Sequence, residues 1–331
     1  MTATPRTRIP AAFAITFTTL LAGCATGPRA RPKAVDTYVA GARAYQAGDK
    51  DKALATLVSA IDQNPDLVMA RSITGDIYRS RGDYKDAAAQ YEALTRLDPY
   101  TPANHYYLGL CYQFLNRFAD AAASYLRALQ LNPKDARSST SLGSVYLMLG
   151  QIDDALRYLQ RATEQDPNNA DAWANYAAAL DARQDYPKAE TAYRKSLELN
   201  SDQPATLINF GTNLILQGRP QEAVNILQQA VQKSDTPLAH QRLGDAYAAN
   251  KKYDDAIKQY EAALKLDPNY YPAMNEQARV LIAQYRAELE LDDAKRKRAL
   301  DLWKKSLALK PDQPKIKQWM QEVEKRPLFN E

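Results

Sequence analysis

The sequence predicts an all-α solenoid of about eight stacked helical hairpins, closed by a C-terminal helix. Three observations carry that expectation. The stretch Leu243–Pro268, LGDAYAANKKYDDAIKQYEAALKLDP, spaces Leu243, Tyr247, Ile257, Tyr260 and Leu264 as two amphipathic helices around a short polar turn. Asp267-Pro268 ends it, because the residue before a proline is driven out of the helical region. The same pattern returns along the chain at a period of about 34 residues. Finally, 331 residues hold only 12 Gly but 21 Tyr and abundant Ala at 45% hydrophobic, which suits a helical protein. One hairpin cannot bury its apolar face alone, so the copies must stack.

With the closing proline set at position 32, the array 34–313 divides into units 34–67, 68–101, 102–135, 136–169, 170–203, 204–236, 237–270 and 271–313. The sixth is one residue short and the eighth carries an insertion. Position 8 is Gly41, Gly75, Gly109, Gly143, Ala177, Gly211, Gly244 and Ala278. Position 20 is Ala in every unit, from Ala53 to Ala299, and position 24 is large: Leu57, Tyr91, Tyr125, Leu159, Tyr193, Leu227, Tyr260, Trp303. Small residues let two helices approach, and the large one fills the space they leave. In the last unit, nine extra residues around Glu288–Lys295 are expected to separate a helix starting near Ala273 from a second, Ala299–Leu309. Asp312–Arg326 reads as a further helix, with Ile316, Trp319, Met320 and Val323 covering the last hairpin; residues 314–331 form the cap.

This small–small–large–proline grammar resembles the tetratricopeptide repeat. The resemblance implies a right-handed superhelix whose first helices line a concave, protein-binding groove.

The N-terminus reads as an address. Arg6 and Arg8 precede the apolar run Ala11–Leu21, a signal-peptide pattern too short to span a bilayer. Leu21-Ala22-Gly23-Cys24 then resembles the lipobox of bacterial lipoproteins. That resemblance implies cleavage after residue 23, lipidation of Cys24 by a diacylglycerol and an acyl chain, and stable membrane attachment. Ala25 in place of an aspartate implies the outer membrane, facing the periplasm. Residues 24–33 read as a flexible lipidated tether.

Charge and chemistry exclude more than they suggest. The net charge is +4, and removing residues 1–23 leaves +2, so nothing global favours nucleic acid. His105 and His240 both stand at position 4, where other units place Trp173, Leu207 and Met274; they read as packing residues and share no metal. Cys111 reads as a buried, inert thiol. No nucleophile–base pair or phosphate loop is visible, so no catalytic residue, cofactor, metal or small-molecule substrate is expected. Residues 295–326 hold 11 basic and 4 acidic side chains, which read as a solvated face or, alternatively, a contact for an anionic partner or membrane.

In tetratricopeptide proteins, positions 2, 5, 6, 9, 12 and 13 generally point into the groove. Here they give Tyr38, Tyr45, Met69, Ile73, Tyr106, Tyr107, Leu110, Phe114, Leu147 and Met148 in the first four units, an apolar and aromatic surface of which about half is expected to be inter-repeat packing. Asn175 and Asn209 follow at position 6, with Arg242 beyond them. An asparagine offers donor and acceptor together, so such a ladder can clamp an extended peptide backbone. The expected function is a membrane-anchored scaffold for protein–protein interaction in assembly of a bacterial envelope complex, of pilus or secretin type or serving cell-wall machinery. A periplasmic chaperone or carrier of apolar peptides is the alternative, and a soluble cytoplasmic co-chaperone a third.

Overall fold

The computed structural model describes residues 33–287 and 292–325. Among them the chain forms seventeen α-helices and no strand, and no helix is long and apolar enough to cross a membrane. Residues 1–32, which carry the signal pattern and Cys24, lie outside the described residues. The chain divides into two compact units, 1–65 and 66–331. In the first, α1 (Lys33–Gln46) and α2 (Lys50–Gln63) form one hairpin. Its turn is fixed by Asp49, whose carboxylate accepts from the Lys52 amide at 3.0 Å and caps α2.

The second unit stacks hairpins α3 (Val68–Arg81) with α4 (Tyr84–Leu97), α5 (Pro102–Phe114) with α6 (Phe118–Leu131), and α7 (Ala136–Met148) with α8 (Ile152–Gln165). It continues with α9 (Ala170–Ala182) and α10 (Tyr186–Leu199), then α11 (Pro204–Leu216) and α12 (Pro220–Lys233). The last two hairpins are α13 (Pro237–Ala249) with α14 (Tyr253–Leu266) and α15 (Tyr271–Ala287) with α16 (Asp293–Leu309), followed by α17 (Pro314–Glu324). Within this unit each second helix, from α4 to α14, packs on the first helix of the next hairpin, and from α5 to α15 successive first helices also touch. Those first helices therefore share one face, where a groove can form.

The position-24 side chain keys each hairpin. Leu57, Tyr91, Tyr125, Leu159, Tyr193, Leu227, Tyr260 and Trp303 are all shielded from solvent, against small residues at position 8. Where that residue is tyrosine, its hydroxyl donates to the first helix: Tyr91 to Asp76 at 2.8 Å, Tyr125 to Gln113 at 2.9 Å, Tyr193 to Asp181 at 2.8 Å and Tyr260 to Asp245 at 2.9 Å. A buried phenol needs such an acceptor. The pairing was present in the sequence, since position 9 or 12 carries an acceptor in each tyrosine unit.

In the first seven hairpins position 15 makes the turn through a left-handed residue. Gly48, Gly82, Gly150 and Gly218 do so freely, whereas Asn116, Gln184 and Lys251 hold φ of 58°, 65° and 58°. Lys251 thus keeps the glycine conformation at a cost, rather than forming a different turn.

The C-terminal expectations need correction. Most of the insertion is taken up by longer helices: α15 runs to Ala287 and α16 begins at Asp293, not Ala299. Asp292 explains the early start, because its carboxylate accepts from the amides of Ala294 and Lys295 at 3.1 and 3.3 Å. The closing helix is shorter than expected, since Pro314 supplies a preformed first turn. It is clasped by buried Arg296, which donates to the Val323 carbonyl at 2.9 Å.

Candidate interaction groove

Four first helices converge on a cavity of about 490 Å³. Leu110 and Gln113 come from α5, Thr140, Ser141 and Ser144 from α7, Asp171, Ala174, Asn175 and Ala178 from α9, and Thr206 and Asn209 from α11. The alanines of α9 open the space, and the polar residues decide what could fill it. Thr140 turns its hydroxyl back to the Ala136 carbonyl at 2.8 Å. Gln203, preceding α11, accepts from Thr206 at 2.7 Å and Ser196 at 3.2 Å. The amides of Asn175 and Asn209 make no hydrogen bond to the other described residues. Two uncommitted amides on adjacent first helices, with the Asp171 carboxylate beside them, are groups that can meet the N–H and C=O of an extended chain.

The cavity joins Leu110, Asn175 and Asn209, and the other expected groove residues lie elsewhere. Arg242 lines a separate cavity of about 530 Å³ with Asp245, Glu276 and Arg279. Tyr106 and Tyr107 are half-buried in packing: Tyr107 lies 5.5 Å from Tyr91 and Tyr106 lies 5.7 Å from Tyr125, ring centre to ring centre. Arg79 and Arg137 cap these rings at 4.6 and 5.2 Å. Phe114 is exposed but stacks on Tyr84 at 4.2 Å. Met69 and Met148 are the most open, at 61% and 63%. Ile73 is half-buried on α3, and Tyr38 is half-buried on α1 in the first compact unit. In the fourth repeat the apolar expectation gives way to hydroxyls. Positions 5, 6 and 9 there, Thr140, Ser141 and Ser144, line the cavity, and the expected Leu147 and Met148 do not.

His105 is buried, its Nε2 3.0 Å from the Pro99 carbonyl. His240 does more than pack, with Nδ1 2.7 Å from Gln259 Oε1 and Nε2 2.8 Å from Asp235. Cys111 is fully shielded, and burial pushes its thiol up to about 11. Among the described residues no cluster of His, Cys, Asp and Glu is arranged to hold a metal ion.

The second cavity has an electrostatic asymmetry. Asp245 and Glu276 form its inner side and are paired along their own helices with Arg242, at 3.2 Å, and Arg279. Burial, then the neighbouring Glu276 charge, pushes the Asp245 carboxyl up to about 6. Its favourable contribution is complete below the ordinary value near 3.8 and is lost as pH rises through about 6. Asp245→Asn is therefore expected to flatten the change of stability between pH 4 and 8, the relief of the buried charge at pH 7.5 being set against the loss of the acceptor that Arg242 and Gln241 share at 3.2 Å. Urea titrations across pH 4–8 read this directly, and an unchanged pH profile would exclude the charge account.

Residues 33–283 match the family model described as Cilia and flagella-associated protein 70 C-terminal domain, a tetratricopeptide-repeat model. The chain belongs to this tetratricopeptide-repeat family. A 97-residue stretch of the chain is 28% identical to anaphase-promoting complex subunit 7 of Dictyostelium discoideum, covering 29% of this chain and 17% of that one. The array is similar in fold to a chain in the crystal structure of the APC/C hetero-tetramer Cut9–Hcn1, with a TM-score of 0.63 at 16% identity over 88% of this chain and 54% of that one. It is also similar to a tetratricopeptide repeat protein of Parabacteroides merdae, with a TM-score of 0.60 at 19% identity over 78% and 98% of the two chains. At such identities the structural likeness establishes the fold. The tetratricopeptide solenoid is a protein–protein interaction scaffold, and no enzymatic family is indicated.

Proposed function

We propose that the chain is a lipid-anchored scaffold of the bacterial cell envelope, tethered through Cys24 to the outer membrane and holding a partner during assembly of an envelope complex. The anchor rests on the Leu21–Cys24 lipobox resemblance and the apolar run before it. The holding role is carried by one observation: the 490 Å³ cavity that brings the uncommitted amides of Asn175 and Asn209 together. An extended partner segment crossing α9 and α11 would exchange backbone hydrogen bonds with both. The exposed Met69 and Met148 favour a second reading, a chaperone or carrier taking apolar segments transiently.

A photo-crosslinking residue at Ser144, in intact cells, separates the two. One stoichiometric partner supports the scaffold, and many sub-stoichiometric clients support the carrier. The Asn175→Ala/Asn209→Ala double variant is expected to weaken the captured segment about tenfold, roughly 1.4 kcal/mol for two lost amide contacts, without changing the melting temperature. Unchanged affinity would remove the amide clamp. Cys24→Ala is expected to abolish acyl incorporation and move the chain out of the membrane fraction; unaltered fractionation would remove the anchor.

A further inference from the structure

A second groove lies on a different side of the same stack. α14 and α16 form its walls, and Gln277, Leu281 and Gln284 of α15 form its floor. These residues lie on a different face of α15 from Glu276, Arg279 and Ala283, which line the Asp245 cavity. The groove has two lobes, of about 620 and 400 Å³, which meet at Arg298. Arg298 lines both and bridges to Glu261 of α14. Along α14 the lobes run from Asp254 to Lys265, about 16 Å at the helical rise. Along α16 they run the same distance, from Ala294 to Lys305.

The lining has a sign. Ile257, Leu264, Leu281 and Leu302 supply apolar surface in the recess. Lys265, Lys297 and Lys305 stand around the larger lobe, all exposed, and none has an ion partner among the described residues. Glu261 is already answered by Arg298, so Asp301 is the remaining acid of that lobe against three lysines. Charge of one sign around an apolar recess selects an occupant with the complementary pattern.

We infer that this groove docks an acidic amphipathic helix of a partner protein, about three turns long, with an apolar stripe flanked by carboxylates. The walls are helices whose backbone groups are already hydrogen-bonded, so an extended strand would leave its own amides unpaired over the apolar recess. A helix satisfies its backbone internally and offers one apolar face, which is what the recess can accept. A flat anionic bilayer cannot enter a recess between two helices. It would engage outward lysines such as Lys304, Lys310, Lys315 and Lys317 instead, none of which lines the groove.

The test uses the full chain and three probes: a fluorescein-labelled helical peptide with leucines at i, i+4 and i+7 flanked by glutamates, its Glu→Gln counterpart, and phosphatidylglycerol vesicles. The acidic peptide is expected to bind in fluorescence anisotropy, at least tenfold more tightly than the glutamine peptide, and to weaken as salt rises. Lys265→Glu/Lys305→Glu is expected to lose at least tenfold, whereas Lys304→Glu/Lys310→Glu, with the same change in net charge, leaves binding intact. Circular dichroism confirms that both variants stay helical. No peptide binding, equal binding of the two peptides, equal loss in the two variants, or binding of vesicles in place of peptide would each overturn the assignment. Asn175→Ala/Asn209→Ala should leave this binding unchanged, so failure of the amide clamp and failure of this groove are read separately.

Discussion

Gly211→Val is expected to lower stability by about 3 kcal/mol or more, the overpacking cost of a core with no room to yield. A Cβ at this position would stand 2.4 Å from Leu227 Cγ and 2.7 and 2.8 Å from its two methyl carbons. Leu227 cannot retreat, because it is fully buried between α11 and α12. The residue that locks the hairpin is the one that excludes the side chain. Valine's slightly better helix propensity than glycine's returns only a few tenths of a kcal/mol. In a stack where each hairpin leans on its neighbours, splaying α11 from α12 also weakens the interfaces with α10 and α13. The steric account has a specific signature. Leu227→Ala alone should destabilise by roughly 2–5 kcal/mol through the cavity it leaves. In the double variant, the valine methyls occupy part of that cavity, so the combined cost should fall short of the sum by 1 kcal/mol or more. Urea melts of the four proteins measure the coupling, and strict additivity would show that Gly211 and Leu227 do not compete for the same space.

That competition explains why the fold was legible in the sequence. A Gly or Ala at position 8 and a large residue at position 24 recur because the geometry of a close hairpin repeats, and each repeat restates it. The groove was less legible for the converse reason. Side chains on the shared face are free to vary, and the position numbers say where a residue stands but not which neighbour claims it. Tyr106 and Tyr107 occupy groove positions yet are drawn into the rings of Tyr125 and Tyr91, while Phe114 folds onto Tyr84. Asn175 and Asn209 share the cavity wall with Ala174, Ala178 and Ala205, which are too short to cover them, so they stay open to the cavity. Thr140, Ser141 and Ser144 stood at the right positions from the start. Their short hydroxyl side chains carry no hydropathy signal that sets a groove lining apart from any solvated helix face. The early start of α16 turned on a local cap at Asp292 that a 34-residue register does not report.

Asp181→Ala is expected to cost about 2–4 kcal/mol, because it strips the acceptor from two buried donors at once. The Asp181 carboxylate accepts from Tyr193 at 2.8 Å and from Asn213 Nδ2 at 2.6 Å. Burial raises its pKa, and the two hydrogen bonds oppose that rise. Asn213 has no exposed surface; it also donates to the Tyr186 carbonyl at 3.1 Å and accepts from Gln217 at 2.7 Å. Gln217 continues to Glu190 at 2.9 Å, where Arg194 and Arg219 converge at 2.7 and 2.6 Å. Burial works against the Glu190 charge, but the bonds from Arg194, Gln217 and Arg219 prevail and hold it at about 2. This part of the network therefore stabilises above pH 4.5 and lets go as pH falls toward 2. Asp181→Asn, which keeps one acceptor, should lose less than Asp181→Ala; equal losses would mean that packing, not hydrogen bonding, sets the cost. The chain of contacts joins α9 and α10 to α11 and α12, and α9 and α11 carry Asn175 and Asn209. Loosening it changes the spacing of the two amides without touching either. Asp181→Ala should then weaken the segment crosslinked at Ser144 even at temperatures where the variant remains fully helical. Wild-type affinity under those conditions would mean that the amides are positioned by their own helices alone.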